Sequence, residues 1–381
     1  MSRSYTRAEI EANKKIFHEH FSLAFVRTLN DRVLEKFINP TYFRPVFVGF
    51  DEPIERNRPD RPAILASNHS GMAFPWDAIV FGCGIFRRFG YETDKLFRAL
   101  AAPALSKTRL MNPYMMRDAW KMCGGIDATF LNFQTLMEYP EGNLLVYPEG
   151  VPGIGKGFNR RYRLQRFATS FVRMSLRHRV DIVPFATVNA EYVNPYSYSM
   201  DWVNRLVSKL GVPFLPLSPI TILVLLQPWT FYLSFPAKMT YVRGRRLKPY
   251  EWLDKPYGEL TDGEVRAIRD RIKQCMQEDL DRAVREHGQK PYRWGEFFRA
   301  AWKNRRYFPY YLPFMWPIVF TEFERQWYAQ PVRDGSGVDM RIRWGTGLLW
   351  LLRNPIALCY YIPIIGWIPL AIKGYSKKKK K

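Results

Sequence analysis

Residues 63–77 read AILASNHSGMAFPWD, an apolar run that ends in a polar cluster and is followed by a carboxylate a short loop further on. Ala63 to Ala66 has the composition of a buried strand, and Asn68, His69 and Ser70 follow where such a strand would end. A histidine can take a proton from a hydroxyl near neutral pH. A nearby aspartate can hold the ring in one tautomer and stabilise the imidazolium as it forms. His69 and Asp77 are therefore a candidate general base and its orienting partner. The other four histidines, His18, His20, His178 and His287, sit among charged helical or loop sequence and read as solvated.

Outward from this stretch, β-rich runs recur at Val46–Phe50, Leu144–Tyr147, Ile182–Val188 and Thr240–Val242, separated by helix-like sequence. The alternation predicts an α/β domain with a mostly parallel sheet flanked by helices. In such sheets the carboxyl ends of the strands open into one crevice, where ligands bind. Three runs end in polar clusters, Asn68-His69-Ser70, Pro148-Glu149-Gly150 and Asn189-Ala190-Glu191, and these are predicted to converge. Residues 144–167, LLVYPEGVPGIGKGFNRRYRLQRF, set a strand, a Pro-Glu-Gly turn, a glycine-rich loop and then Lys156, Arg160, Arg161, Arg163 and Arg166 in order. Glycines let backbone approach an anion, and arginines hold phosphate oxygens by forked hydrogen bonds. A solvated basic helix accounts for the outer arginines but not for Pro148-Glu149-Gly150 at a strand end.

With 58 Lys plus Arg against 35 Asp plus Glu, the 381-residue chain carries a formal net charge of +23, which calls for an anionic partner. Aromatic residues make up 16%, and Trp and Tyr mixed with Lys and Arg suit a membrane interface better than a DNA groove. No nucleic-acid-reading module occurs. No Gly-x-Ser-x-Gly elbow occurs either, which removes an α/β serine hydrolase. Cys83, Cys123, Cys275 and Cys359 are far apart, without metal-site spacing, and fit a reducing compartment. Met1 to Lys15 is polar and charged, so no cleaved signal peptide is expected there.

Residues 7–38 read as helix, with Phe21, Phe25, Leu29, Val33 and Phe37 on one face, either packed on a core or lying on a membrane. Residues 262–286 read as an amphipathic helix capped by Thr261 or Asp262, with Val265, Ile268, Ile272, Met276, Leu280 and Ala283 facing a core. Residues 210–237 carry no charge, but Pro213, Pro216, Pro219, Pro228 and Pro236 break any spanning helix, so irregular apolar backbone over a substrate entrance or against a membrane is expected. Residues 354–372 are also uncharged and are interrupted by Pro363, Gly366 and Pro369. With Lys377 to Lys381 they read as a bilayer span or as a monotopic wedge with a polybasic clamp. The resulting division is 1–44 as N-terminal amphipathic helices, 45–287 as the main domain, and 288–381 as an aromatic, basic, membrane-associating region. Within the last, residues 288–344 are expected to have a generic interface role.

Asn68, His69 and Asp77 together with Pro148, Glu149 and Gly150 closely resemble the glycerolipid and lysophospholipid acyltransferase superfamily. Its four sequence blocks have counterparts here in order. The second falls on Gly124, Gly125, Ile126, Ala128, Thr129 and Asn132, and the fourth on Ile182, Val183 and Pro184, so the resemblance covers about residues 45–285. It implies the glycerolipid acyltransferase fold and an O-acyltransferase. His69, oriented by Asp77, would deprotonate a lipid hydroxyl for attack on the thioester of acyl-CoA or acyl carrier protein, with no metal or cofactor.

Substrate-binding residues implied are Asn68, Gly125, Thr129, Glu149, Gly150, Lys156, Arg160 and Arg161, with Glu149 orienting the acceptor or its loop and the basic residues holding phosphates. Backbone N–H groups of the glycine-rich turns would stabilise the oxyanion. The implied setting is an anionic membrane surface on the cytoplasmic face. Two departures stand out. Seven residues separate His69 from Asp77, more than in the commonest pattern, a spacing that looks nearer the monoacylglycerol and diacylglycerol acyltransferase-like branch. The second block lacks a phosphate-reading arginine, with Asp127, Ala128 and Thr129 in that place. The long spacing also leaves an alternative, a catalytically silent lipid-binding adaptor on the same fold.

Overall fold

Ile182–Val188 (β6), IVPFATV, is buried along its whole length and lies near the middle of a seven-stranded sheet. The computed structural model describes residues 5–71, 74–107, 116, 118–209 and 214–373. The other strands are Val46–Val48 (β1), Ile64–Ser67 (β2), Phe97–Ala101 (β3), Gly125–Asp127 (β4), Asn143–Val146 (β5) and Thr240–Arg243 (β7), in the order β1-β7-β6-β2-β5-β3-β4. Every neighbouring pair is parallel except β6 with β7. The five runs expected from sequence are all strands. β3 was not foreseen, because its alternation is interrupted by Arg98.

Alternation along the strands sorts their side chains onto two faces. Leu65, Leu145, Val183 and Phe185 join Phe37, Phe43, Phe81 and Trp316 in one core. Ile64, Ala66, Leu144, Val146 and Ile182 join Phe171, Val265, Ile272, Met276 and Leu280 in the other. The helix Asp262–His287 supplies Val265, Ile272, Met276 and Leu280, and Thr261 is its cap, in a reciprocal capping box with Glu264. Each fully buried Leu, Ile or Phe contributes about 1.5–3 kcal/mol, so the stripe on this helix anchors it firmly to β6.

The N-terminal reading as one helix over 7–38 is corrected. A helix Arg7–Asn13 passes into a 3-10 turn at Lys14–Phe17, and a second helix, Leu23–Leu29, starts afresh because the Ser22 side chain accepts from the Phe25 amide at 3.2 Å. It continues as a π-helical run, Asn30–Phe43, which contains Pro40. Phe25, Leu29, Val33 and Phe37 are buried in the first core, so this stripe packs on protein and the membrane-lying alternative does not hold for it.

The generic interface role expected of residues 288–344 does not hold for residues 316–329. The helix Trp316–Ala329 is core: Trp316 lies 4.7 Å from Trp76 and Trp327 lies 5.1 Å from Phe25, ring centre to ring centre. Its buried Glu322 pairs with Arg325 and accepts from Asn354 Nδ2, which ties the following segment down. Residues 354–372 do not form one helix but two short ones, Ile356–Cys359 and Trp367–Lys373. Among the described residues no helix is long and apolar enough to cross a membrane. The Lys377–Lys381 run lies outside the described residues.

Candidate active site

β2 and β5 are parallel, with Ala66 beside Val146, so His69 and Glu149 leave the sheet at the same edge. There the Glu149 Oε1 accepts from the His69 amide at 3.0 Å, and Oε2 accepts from the Gln165 amide at 2.6 Å. Of the two roles expected for Glu149, orienting the loop is the one its bonds perform. Both carboxylate oxygens are spent on backbone.

Asp77 sits in the first turn of the helix Trp76–Arg88, where the helix dipole favours a carboxylate. Its Oδ2 meets His69 Nδ1 at 2.7 Å and accepts from the Ser70 amide at 3.0 Å, while Oδ1 accepts from the Ala78 amide at 2.8 Å. Its backbone carbonyl accepts from Tyr241 Oη at 2.8 Å. The seven-residue loop therefore closes fully, and with Nδ1–H donated to Asp77 the basic nitrogen is Nε2. His69 keeps 14% of its side-chain surface while Asp77 has none. Tyr147 stacks on the imidazole, ring centres 4.2 Å apart and planes inclined at 28°.

His69 lines a cavity of about 1220 Å³ whose walls are mainly apolar, including Val26, Ile79, Phe97, Phe133 and Val224. Gly125, Thr129, Glu149 and Gly150 line it too. Thr129 also caps the helix Phe130–Leu136 by accepting from the Asn132 amide, at 3.1 Å. Residues 214–225 form part of the cavity wall, and from Pro219 to Leu226 they are a short helix where irregular backbone was expected.

Asn68, Lys156, Arg160 and Arg161 do not line the cavity, and their expected role as substrate contacts is corrected. Asn68 is bonded in both directions to the Thr187 backbone, Nδ2 to the carbonyl at 2.9 Å and Oδ1 from the amide at 2.8 Å, which clamps β2 to β6. Lys156 is buried, 3.3 Å from Glu191 and 3.9 Å from Glu149. Burial pushes its ammonium down, but the two glutamates outweigh that and hold it above the ordinary lysine range. It is a structural counter-ion between two of the strand-end clusters, and Glu149 carries the link on to the third through the His69 amide. Arg160 pairs with Asp201 at 2.8 Å, and Arg161 is exposed over the Phe158 ring at 4.7 Å.

Three of the expected oxyanion donors are already engaged, because the amides of Gly150, Gly153 and Gly155 donate to the carbonyls of Tyr147, Gly150 and Val151 at 2.8, 3.0 and 3.0 Å. Gly153 and Gly155 serve close approach, and Gly150 supplies a positive φ of 58°. A Cβ on Gly153 would fall 2.5 Å from Glu149 Cβ and 3.2 Å from His69 Cβ. His178, read as solvated, has its Nε2 shut off from solvent and without a partner among the described residues.

Sequence reasoning missed Tyr147, Tyr241 and Asn194. Asn194 is buried against the cavity, its Nδ2 donates to the Gly71 carbonyl at 2.6 Å, and its Oδ1 has no partner among the described residues. Tyr147 was legible in principle, since it immediately precedes Pro148-Glu149-Gly150. The other two come from distant segments.

No family model matches the chain, and no solved structure does. The chain is 31% identical over 206 residues to an uncharacterized protein of Mycobacterium bovis and to one of Mycobacterium tuberculosis, covering 54% of this chain and 51% of theirs. It is 28% identical over 205 residues to an uncharacterized protein of Mycobacterium leprae, covering 54% of this chain and 50% of the relative. The chain thus spans about half the length of the curated relatives it matches.

Proposed function

We propose that the protein is a membrane-associated O-acyltransferase that moves a fatty acyl group from a thioester, acyl-CoA or acyl carrier protein, to a hydroxyl of a glycerolipid or lysophospholipid. The observation that carries this reading is the 2.7 Å contact between His69 Nδ1 and Asp77 Oδ2 at the wall of a large apolar cavity. His69 Nε2 takes the proton from the acceptor hydroxyl as its oxygen attacks the thioester carbonyl carbon. The tetrahedral intermediate then expels the thiolate, which leaves as the thiol with the proton from the imidazolium. An ester forms, a carbon–sulfur bond breaks, and the histidine ends neutral.

The apolar walls suit a long hydrocarbon chain, and the Asn194 Oδ1 offers one acceptor for a substrate hydroxyl. The absence of an arginine in the second block supports an acceptor without a phosphate beside the reacting hydroxyl. The alternative, a silent adaptor, drew on the long spacing from His69 to Asp77, and the hydrogen bond between them is what favours the catalytic reading over it.

The test is thiol release from acyl-CoA with monoacylglycerol, a lysophospholipid or lysophosphatidic acid as acceptor. Turnover with either of the first two supports the reading. No release with any donor or acceptor, from protein that is folded by circular dichroism, refutes it.

A further inference from the structure

The helix Pro219–Leu226, PITILVLL, has no buried residue, and the surrounding residues 210–237 contain no charge. Ile220, Thr221, Val224 and Leu225 face the cavity. On the other side Ile222 is 64% exposed, with Leu223 and Leu226 beside it also exposed. A helix apolar on all sides belongs in apolar surroundings, and here protein covers only one side.

The exposed apolar surface continues onto a second segment. The Ile364 amide donates to the Leu226 carbonyl at 2.6 Å, Trp367 Nε1 to the Leu225 carbonyl at 2.9 Å, and Gln227 Nε2 to the Tyr361 carbonyl at 2.7 Å. Leu358, Ile362, Ile364, Ile365 and Ile368 are all exposed. Ile364 adopts φ +67°, a conformation that strains a β-branched residue, and still presents its side chain outward.

In the other direction Tyr198 bridges to Leu217 by backbone bonds of 3.1 and 2.9 Å. An aromatic chain runs from Tyr196 through Phe235 and Tyr292 to Trp294. Trp294, Phe298 and Trp302 are exposed at helical spacing on the helix Trp294–Lys303, with Arg299, Lys303, Arg305 and Arg306 close by. An aliphatic centre, an aromatic rim and cations at the rim are the composition of a membrane-interface surface.

We propose that this face docks the protein on an anionic bilayer, with residues 219–226 and 358–368 entering the hydrocarbon and the helix 294–303 at headgroup level. The net charge of +23 supplies the complement to anionic lipid. The cavity then opens at Val224 and Leu225 into lipid, so a lipid chain reaches His69 without crossing water. Only that consequence rests on the acyl-transfer reading; the docking stands apart from catalysis.

The experiment is sedimentation of the full chain with vesicles of phosphatidylcholine and phosphatidylglycerol, comparing wild type, Ile222→Glu/Ile365→Glu and Ile222→Leu/Ile365→Leu. Both sites are exposed and neither lines the cavity, and circular dichroism confirms that each variant is folded. The glutamate pair is expected to weaken vesicle binding by about tenfold or more, because it puts two carboxylates into hydrocarbon, whereas the leucine pair binds as wild type does. Wild-type vesicle binding by the glutamate pair overturns the proposal. So does a wild type that is dimeric in lipid-free buffer, becomes monomeric in the glutamate pair and binds vesicles equally in both. Protein carrying His69→Ala serves as the second background: vesicle binding lost only in the glutamate pair there supports the docking face even if no thioester is ever turned over.

Discussion

The Tyr147 ring lies stacked on the face of the His69 imidazole, 4.2 Å between centres, while Asp77 meets the same ring at its Nδ1 edge. Asp77 fixes one nitrogen and Tyr147 fixes the plane. Replacing Tyr147 with Ala should lower kcat by about tenfold through misorientation of the base, since such positioning contributes a part of general-base catalysis. Tyr147→Phe, which retains the stacking ring, should restore most of it. Steady-state kinetics on the three proteins checks this.

His69→Ala should reduce acyl transfer by about a thousandfold or more while leaving the fold intact, because the side chain lies at a cavity wall and general-base catalysis contributes about 10²–10⁴-fold. Asp77→Asn should cost less. Circular dichroism and thiol release, measured on the same preparations, separate loss of chemistry from loss of structure.

Lys156→Met should act on stability rather than on phosphate recognition. It leaves Glu149 and Glu191 buried without their counter-ion, and breaking such a pair costs about 3–5 kcal/mol. Adding Glu191→Gln should recover part of the loss. Urea denaturation of the single and double variants tests this, and a Lys156→Met protein of unchanged stability but raised KM for acyl-CoA would restore the phosphate-binding role.

Burial, helped by Arg61 and Arg177, pushes the His178 imidazole down to about 4 from 6.5. The unfolded chain takes up a proton below 6.5 while the folded state does not. The stability this group contributes is therefore complete above pH 6.5 and lost as pH falls to about 4, on the order of 2 kcal/mol after allowance for partial exposure. His178→Gln should show a flatter decline in melting temperature over that window than wild type.

A cut before residue 345 would remove Trp350, Asn354 and Tyr360, which are buried in the core, so it would test folding and not membrane anchoring. Truncation after Ser376 removes the lysine run alone. It should weaken binding to anionic vesicles at low salt by about 1 kcal/mol per lysine near the surface, with the difference vanishing in high salt. Sedimentation across a salt series measures it.

The sequence by itself determined most of the sheet and the His69–Asp77 pairing. Five strands, the capped helix at 262–287 and the His69–Asp77 partnership were legible because each depends on local signals: period-two burial, a Thr-x-x-Glu cap, and a polar cluster at a strand end. Arg98 hid β3, since a buried charge breaks the apolar pattern even though its guanidinium is satisfied by the carbonyl of Gly124 and lies over the Phe21 ring. Only the tertiary structure decided which basic residues are free. Lys156 and Arg160 read alike in sequence, but two glutamates from different strand ends enclose the first and a surface aspartate takes the second. It likewise decided that the stripe of Phe25 and Phe37 is core while that of Ile222 and Ile364 is exposed. Amphipathic periodicity records that a face is apolar. What covers that face depends on segments hundreds of residues away, which no local pattern encodes.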